Sequence, residues 1–165
     1  MKKIILLMLI VLTIFLGACG GKNVDEVYQE LSDLVNTNGK LEEDFLGVKQ
    51  VVLELSDDYE IKYKNDSLVI YIEKNITYYA KNGEKREYYG MNIEFSVYAD
   101  KISDTAYLFY DILDFDIYSG VFSEYIKKGK LSPNDEMDEQ ICAYIESSLN
   151  ELDNLLNSQY GITLK

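Results

Sequence analysis

Residues 59–72 read YEIKYKNDSLVIYI, and this stretch decides the fold class. Its first half places Tyr59, Ile61 and Tyr63 in alternation with charged side chains, which is typical of a half-buried β-strand. Asn65-Asp66 tolerates the left-handed backbone of a tight turn, and the apolar run that ends the stretch is rich in β-branched residues. The pattern therefore predicts an antiparallel hairpin.

A second hairpin is predicted immediately downstream. Residues 76–81 lead into Asn82-Gly83, a dipeptide that favours the turn of a hairpin, and a return strand is expected from about Arg86 to Tyr98. Gly90 interrupts that strand, and an isolated glycine in a strand indicates a bulge. Alternate residues of the strand form one apolar face, namely Met91, Ile93, Phe95 and Val97.

Helical periodicity flanks this pair of hairpins. Apolar residues recur every three or four positions from Val24 to Val35, and Asn38-Gly39 favours a left-handed C-terminal cap. A short helix over 121–126 is expected to end at Lys127-Lys128-Gly129, where cations suit the helix C-terminus. Ser132-Pro133 predicts the start of a long C-terminal helix. Its apolar face comprises Met137, Ile141, Tyr144, Ile145, Leu149, Leu152, Leu155 and Leu156.

Two stretches leave the type of element open. Residues 45–55 combine helical spacing with a Val-Val-Leu run, and we favour a short helix that runs into an edge strand. Residues 105–118 are apolar on all sides, which indicates a buried element whose type the periodicity does not decide. We expect one α+β domain over residues 24–165, with an antiparallel sheet of about four strands packed by the N-terminal and C-terminal helices on one face.

The N-terminal segment indicates where the protein is located. Lys2 and Lys3 precede an apolar run from Ile4 to Phe15, and the run ends in Leu16-Gly17-Ala18-Cys19. A spanning helix needs about 20 apolar residues, so this run is too short to cross a bilayer and is typical of a cleaved signal segment. The closing motif resembles the lipobox of bacterial lipoprotein precursors.

That resemblance implies that a type II signal peptidase removes residues 1–18 and that a diacylglyceryl group is attached to the thiol of Cys19. Residues 19–23 would then form the lipidated cysteine and a short tether. The protein would be anchored in the cell membrane on its extracytoplasmic side. The alternative is an ordinary secretory signal, since the small residues before Cys19 also suit a general signal peptidase.

The charge of the mature chain excludes several classes of partner. Residues 1–18 hold two of the 16 basic residues and none of the 29 acidic ones, so the remaining 147 residues carry a formal charge of −15. Such a surface repels nucleic acid and anionic lipid headgroups. We therefore expect the lipid, rather than the protein surface, to hold the chain at the membrane.

The chain contains no histidine, which excludes Ser-His-Asp and Cys-His catalysis and the His-rich sites of catalytic zinc and copper. Cys142 is the one cysteine besides Cys19, and we interpret it as a structural, partly buried thiol. No cofactor and no metal is expected, because the acids of residues 111–116 lack the EF-hand pattern. A cell-envelope enzyme with paired carboxylates is the alternative, its candidates being Asp111, Asp114, Asp116 and Glu124.

Tyrosine is unusually frequent, with 15 copies against no tryptophan. An amphipathic ring with a polar tip is favoured at recognition surfaces, so exposed sheet tyrosines are candidate ligand contacts. We expect a non-enzymatic binding module near the membrane, with an envelope protein, a peptide or a glycan as partner. A lipoprotein that masks a membrane component is a further alternative. The possible binding surface comprises Tyr78, Tyr79, Tyr88 and Tyr89.

Overall fold

The computed structural model describes residues 21–79, 85–99, 103–109, 115–135 and 137–165, without the side chains of 85–89. These residues form three helices and seven strands. The helices are α1 (Val24–Asn38), α2 (Val121–Lys128) and α3 (Glu139–Tyr160). The strands are β1 (Lys40–Glu43), β2 (Lys49–Ser56), β3 (Tyr59–Lys64), β4 (Ser67–Tyr79), β5 (Lys85–Tyr98), β6 (Ser103–Phe109) and β7 (Phe115–Ser119).

The strands form one antiparallel sheet in which each strand pairs with its neighbours in sequence, from β1 at one edge to β7 at the other. The predicted α+β class with helices at both ends is confirmed, but the expectation of about four strands was too low. The additional strands include β6 and β7, in a stretch whose element type the sequence left open, and β1, which the sequence analysis did not predict. Among the described residues, no helix is both long and apolar enough to span a membrane.

The β3–β4 hairpin has the predicted register. Tyr59 pairs with Ile72 and Lys64 with Ser67, so Asn65 and Asp66 form a two-residue turn. Their φ angles are 50° and 58°, and the asparagine and aspartate side chains tolerate this left-handed backbone better than most. A primed turn of this kind matches the twist of the two strands.

The β4–β5 pair contains the bulge that Gly90 predicted. Lys74 pairs with Met91 and Ile76 with Tyr88, so a single residue, Asn75, faces two residues of β5. Gly90 adopts a φ of +79°, and its amide donates to the Oδ1 of Asn75 at 2.8 Å. The turn at Asn82-Gly83 lies outside the described residues.

The core lies on one face of the sheet. The register aligns one buried row across six strands, made of Leu53, Ile61, Ile70, Phe95, Ala106 and Tyr118. The three helices supply the other side of the same cluster of buried side chains. Phe95 of the sheet packs against Phe122 of α2 with ring centroids 5.9 Å apart, and both are fully buried. Each such ring stabilises the fold by about 1.5–3 kcal/mol.

A buried carboxylate joins the sheet to α2. The N-cap position of α2 is Gly120, which has no side chain to cap the helix. Asp104 of β6, only 2% exposed, accepts instead from the amide of Phe122 at 2.6 Å and from the amide of Ser123 at 3.3 Å. The hydroxyl of Ser123 donates to the same carboxylate. A strand residue thus performs the role of a helix N-cap.

The helix expected within residues 45–55 is absent, and this prediction was wrong. Residues 49–56 form β2, which pairs with β1 on one side and β3 on the other, so it is not an edge strand either. Leu53 is buried in the core while its neighbour Glu54 is exposed. Val52 and Leu53 are both buried although consecutive strand residues point to opposite faces, so the Val-Val-Leu run places apolar side chains on both sides of β2.

Two predicted helix ends were also misassigned. Gly39 follows α1, but its φ is −76° and not left-handed. A Cβ at Gly39 would lie 2.6 Å from the carbonyl oxygen of Val35 and 2.7 Å from Cγ1 of Val51, so glycine permits a close approach of the chain to β2. The C-terminal helix α3 starts after Asp138 and not at Ser132-Pro133.

Asp138 explains where α3 begins. Its carboxylate accepts from the amides of Gln140 and Ile141, both at 3.0 Å. Residues before it are held in a turn, because Asn134 exchanges two hydrogen bonds with the backbone of Met137. The predicted end of α2 is correct, since Gly129 has a φ of 70° and caps the helix.

Candidate binding surface

The sheet has a second face, opposite the core, which we call the open face. The three described helices belong to the core cluster, and side chains that alternate with the core rows point away from them. One row of the open face crosses six strands through Glu54, Glu60, Tyr71, Glu94, Tyr107 and Ile117. Acidic residues and Tyr71 dominate the β2–β4 part of this row, and its β6–β7 part is apolar.

The apolar part forms what we call the aromatic patch, made of Tyr107, Phe109, Phe115 and Ile117. The rings of Tyr107 and Phe109 stack with centroids 6.4 Å apart, and those of Phe109 and Phe115 lie 6.3 Å apart. Phe115 is 55% exposed and Ile117 is 50% exposed. These side chains are held by strand geometry rather than by burial, and the patch offers a preformed apolar surface to a ligand.

The other part of the open face borders an acidic cleft of about 540 Å³. Its lining includes Tyr71 and the five carboxylates of Glu54, Asp57, Asp58, Glu60 and Glu73. The pKa of the Tyr71 hydroxyl is raised by burial and then by the negative charges of Glu73, Glu60 and Glu94. The cleft therefore presents negative potential beside an aromatic ring.

The Tyr71 ring already accommodates a cation. The Nζ atom of Lys62 lies 5.4 Å from the centroid of that ring and 2.5 Å from Oε1 of Glu60. A positive charge at this position interacts with the face of the ring and with a carboxylate together. Lys62 itself occupies this position, so a basic side chain of a ligand would have to displace it to contact the ring.

Strand β7 lies at the edge of the sheet next to the aromatic patch. It pairs with β6 on one side, from Phe109↔Phe115 to Thr105↔Ser119, and it is the last strand of the described sheet. An edge strand directs alternate backbone donors and acceptors outward, where another extended chain can pair with them. Two side chains of β7, Phe115 and Ile117, lie on the open face beside this edge.

Of the four tyrosines predicted as a binding surface, the structure describes the side chains of two, Tyr78 and Tyr79. Tyr78 is half-buried, packs against the core and donates its hydroxyl proton to Asp138. Tyr79 is 48% exposed, and its backbone amide and carbonyl are bonded to the side chain of Gln140 at 3.0 and 2.7 Å. Tyr88 and Tyr89 belong to β5, but their side chains lie outside the described structure.

The predicted chemical groups are distributed as follows. Asp111, Asp114 and the lipidation candidate Cys19 lie outside the described residues. Asp116 accepts from the hydroxyl of Tyr118 at 3.3 Å, and Glu124 pairs with Lys128 at 2.9 Å. In the described part of the chain, no three acidic or thiol side chains converge in a way that could hold a metal ion.

Cys142 is buried on α3, with 5% of its surface exposed. Burial raises the pKa of its thiol, and the negative charges of Glu146 and Glu124 raise it further. A thiol with these properties is a poor nucleophile, in agreement with the structural role predicted for it.

Sequence reasoning missed the aromatic patch. Thr105, Tyr107 and Phe109 alternate with buried residues, as expected for a strand. Because two of these three are aromatic, the sequence does not show the alternation of apolar and polar residues that predicts a strand. Comparisons with protein-family models, with curated proteins and with solved structures gave no match to the chain.

Proposed function

We propose that the mature chain is a lipid-anchored, extracytoplasmic binding module without catalytic activity, and that its open face is the binding surface. The observation that carries this proposal is the exposed aromatic patch beside an acidic cleft. Exposed apolar groups arranged contiguously on a domain surface often mark a site of interaction. The lipobox motif that ends at Cys19 supports the anchor.

A polypeptide is the class of partner that this surface favours. The edge of β7 offers backbone hydrogen bonds to an extended chain, and adding a strand to an exposed edge is a common mode of peptide recognition. Phe115 and Ile117 would contact alternate side chains of the added strand. A glycan would stack on the rings of the patch but would make no use of the edge.

Charge favours a basic polypeptide. The mature chain carries a formal charge of −15, and five carboxylates line the cleft. Complementary charge accelerates association and disfavours acidic competitors, more than it adds to affinity. Binding to the open face should therefore weaken as salt is raised, because screening shortens the reach of these charges.

Photo-cross-linking in cells tests the proposal. A benzophenone side chain placed at Ile117 should yield an adduct, and Phe115→Ser should lower its yield at least about fivefold, the equivalent of 1 kcal/mol at an interface hot spot. The same probe at Leu41, which is 69% exposed on β1, is the matched control and should give no adduct with a polypeptide. A protease-sensitive adduct indicates a polypeptide, and a protease-resistant one indicates a glycan.

Absence of any adduct at Ile117 would refute the binding surface. The anchor is tested separately with Cys19→Ala, which should abolish both lipid attachment and type II cleavage. Mature mass and detergent-phase partitioning that are unchanged by Cys19→Ala would refute the lipoprotein assignment while leaving the binding surface untouched.

A further inference from the structure

A second apolar surface lies far from the aromatic patch, at the β1–β2 turn. Phe45 is 95% exposed and its neighbour Leu46 is 71% exposed. We call residues 44–48, which connect the two strands, the hairpin tip. Single exposed apolar residues are common, but two large adjacent ones at the end of a hairpin are not explained by packing within the domain.

The hairpin tip is a well-bonded structure. The carboxylate of Asp44 accepts from the amides of Leu46 and Val48, both at 2.9 Å, and is paired with the ammonium group of Lys64. Backbone bonds join Asp44 to Val48 and to Gly47, whose φ is +76°. The turn thus orders its own polar groups and presents Phe45 and Leu46 outward.

The hairpin tip lies at the same end of the sheet as the β3–β4 turn, which α1 contacts through a residue near its N-terminus. Lys64, which bonds to the tip, immediately precedes the β3–β4 turn, and the hydroxyl of Tyr28 in α1 donates to the carbonyl of Asp66 in that turn at 2.8 Å. Tyr28 is four residues into α1, about 6 Å along the helix from its start. Gly21, just before α1, lies against the C-terminal end of α2.

The tether also limits how far the domain can stand from the bilayer. From Cys19 to Gly21 the chain spans at most about 7 Å. A lipid on Cys19 would therefore hold the start of α1 close to the bilayer, and Tyr28 in the second turn of that helix contacts the β3–β4 turn beside the hairpin tip.

We infer that the hairpin tip inserts Phe45 and Leu46 into the interfacial layer of the membrane, as a second contact beside the lipid on Cys19. This inference rests on the proposed anchoring. Within residues 44–48 the polar groups are satisfied, because Asp44 is neutralised by Lys64 and the turn amides of Leu46 and Val48 are bonded internally. The exposed carboxylates of Glu42 and Glu43 flank the tip and must stay on the aqueous side of the headgroup layer. The apolar face of a helix that lies on a membrane is buried about 5–10 Å into the boundary between headgroups and acyl chains, and we place Phe45 and Leu46 in the same layer. The contact fixes the orientation of the domain on the bilayer.

The absence of tryptophan from the chain permits a direct test. Phe45→Trp introduces a single tryptophan at the tip, which can be excited selectively over the tyrosines, and a side chain that is 95% exposed can be replaced there without disturbing the core. The lipidated protein is reconstituted into vesicles of phosphatidylcholine and phosphatidylglycerol. The indole of the Phe45→Trp variant should show a blue-shifted emission, protection from aqueous iodide and quenching by lipids brominated near the headgroup.

Phe115→Trp is the matched control, because Phe115 is also exposed but lies on the opposite edge strand. Its emission should stay that of a water-exposed indole, with full quenching by iodide and none by brominated lipid. Leu46→Trp repeats the test at the neighbouring position in case Phe45→Trp changes the turn.

The outcomes separate this inference from the anchor. A protein that carries the lipid and floats with the vesicles, but whose indole remains water-exposed in both the Phe45→Trp and the Leu46→Trp variant, would overturn membrane insertion and leave the anchor intact. A protein whose mass lacks the lipid would overturn the anchor and the inference that rests on it. Equal quenching of the Phe45→Trp and Phe115→Trp variants by brominated lipid would also overturn it, because contact would then not be specific to the tip.

Discussion

Asp104→Ala should destabilise the domain more than any single surface substitution. In the native protein this carboxylate is 2% exposed and accepts from two amides and one hydroxyl at the start of α2. Alanine removes the acceptor and leaves the amides of Phe122 and Ser123 buried with no side-chain partner. Each unsatisfied buried group costs about 1–3 kcal/mol, and some relaxation of the helix end will recover part of this. We expect a loss of about 3 kcal/mol.

The expected change in melting temperature follows from the size of the domain. For a chain of 147 residues, 1 kcal/mol corresponds to a shift of about 4 °C, so Asp104→Ala should lower Tm by about 12 °C. Thermal unfolding followed by circular dichroism at neutral pH measures the shift. Asp104→Asn keeps one acceptor oxygen and should lose about half as much, since the amide nitrogen that replaces the other oxygen is a donor and cannot accept a hydrogen bond.

Two controls isolate the capping interaction. Asp135→Asn changes an exposed aspartate and should leave Tm unchanged within error. Ser123→Ala should lower Tm in the parent but have little further effect in the Asp104→Ala background, because the hydroxyl has then lost its acceptor. A Tm for Asp104→Ala within about 3 °C of the parent would refute the reasoning, as would full additivity of the two substitutions.

Two further predictions concern ionisable groups. Cys142 should react with a thiol reagent at least about tenfold more slowly in the folded protein than in denaturant, because it is buried and its pKa is raised; labelling at equal rates would show that the thiol is accessible. The hydrogen bond from Lys74 lowers the pKa of Glu151 below its usual 4.5, so the pair stabilises the folded state above that pH and loses its effect as pH falls through the lowered pKa. Glu151→Gln should therefore lower Tm at neutral pH but not in strong acid, and a Tm difference that persists in acid would contradict this.

The parts of the fold that were predictable depend on neighbours in sequence. The residues that determine the Asn65-Asp66 turn and its two strands are adjacent in sequence. The same is true of the bulge at Gly90 and of the end of α2 at Gly129. Sequence reasoning placed all of these correctly.

The parts that were not predictable depend on contacts between distant residues. The cap of α2 comes from Asp104, which is far from the helix in sequence, while the local residue Gly120 gives no sign of it. Val51 and Val52 fit either a helix or a strand, and pairing with β1 and β3 decides between them. Gly39 was assigned a left-handed φ because a glycine that permits close packing looks the same in sequence.

The sequence did not decide whether residues 105–118 form a helix or strands, and the reason lies in residues of the candidate site. In a strand with one solvent-exposed face, apolar and polar residues alternate in the sequence. Here Tyr107, Phe109 and Ile117 place apolar groups on the face opposite the core as well. The pattern therefore looked like that of a fully buried element. The residues that removed the alternation of apolar and polar positions are those of the aromatic patch. The departure from the usual strand pattern therefore coincides with the surface that we propose to be functional.

The two proposed contacts also constrain each other through the geometry of the sheet. With strands about 4.8 Å apart, β7 lies about 29 Å from β1 across the sheet, and the row that contains Ile117 lies about 17 Å along the strands from the β3–β4 turn. In the proposed orientation, the hairpin tip lies in the membrane surface. The aromatic patch lies above the membrane surface, and a partner would reach it from the side. Sites this far apart should act independently. Replacing Phe45 should therefore alter the orientation of the domain on the membrane without changing the intrinsic affinity of the open face for its partner.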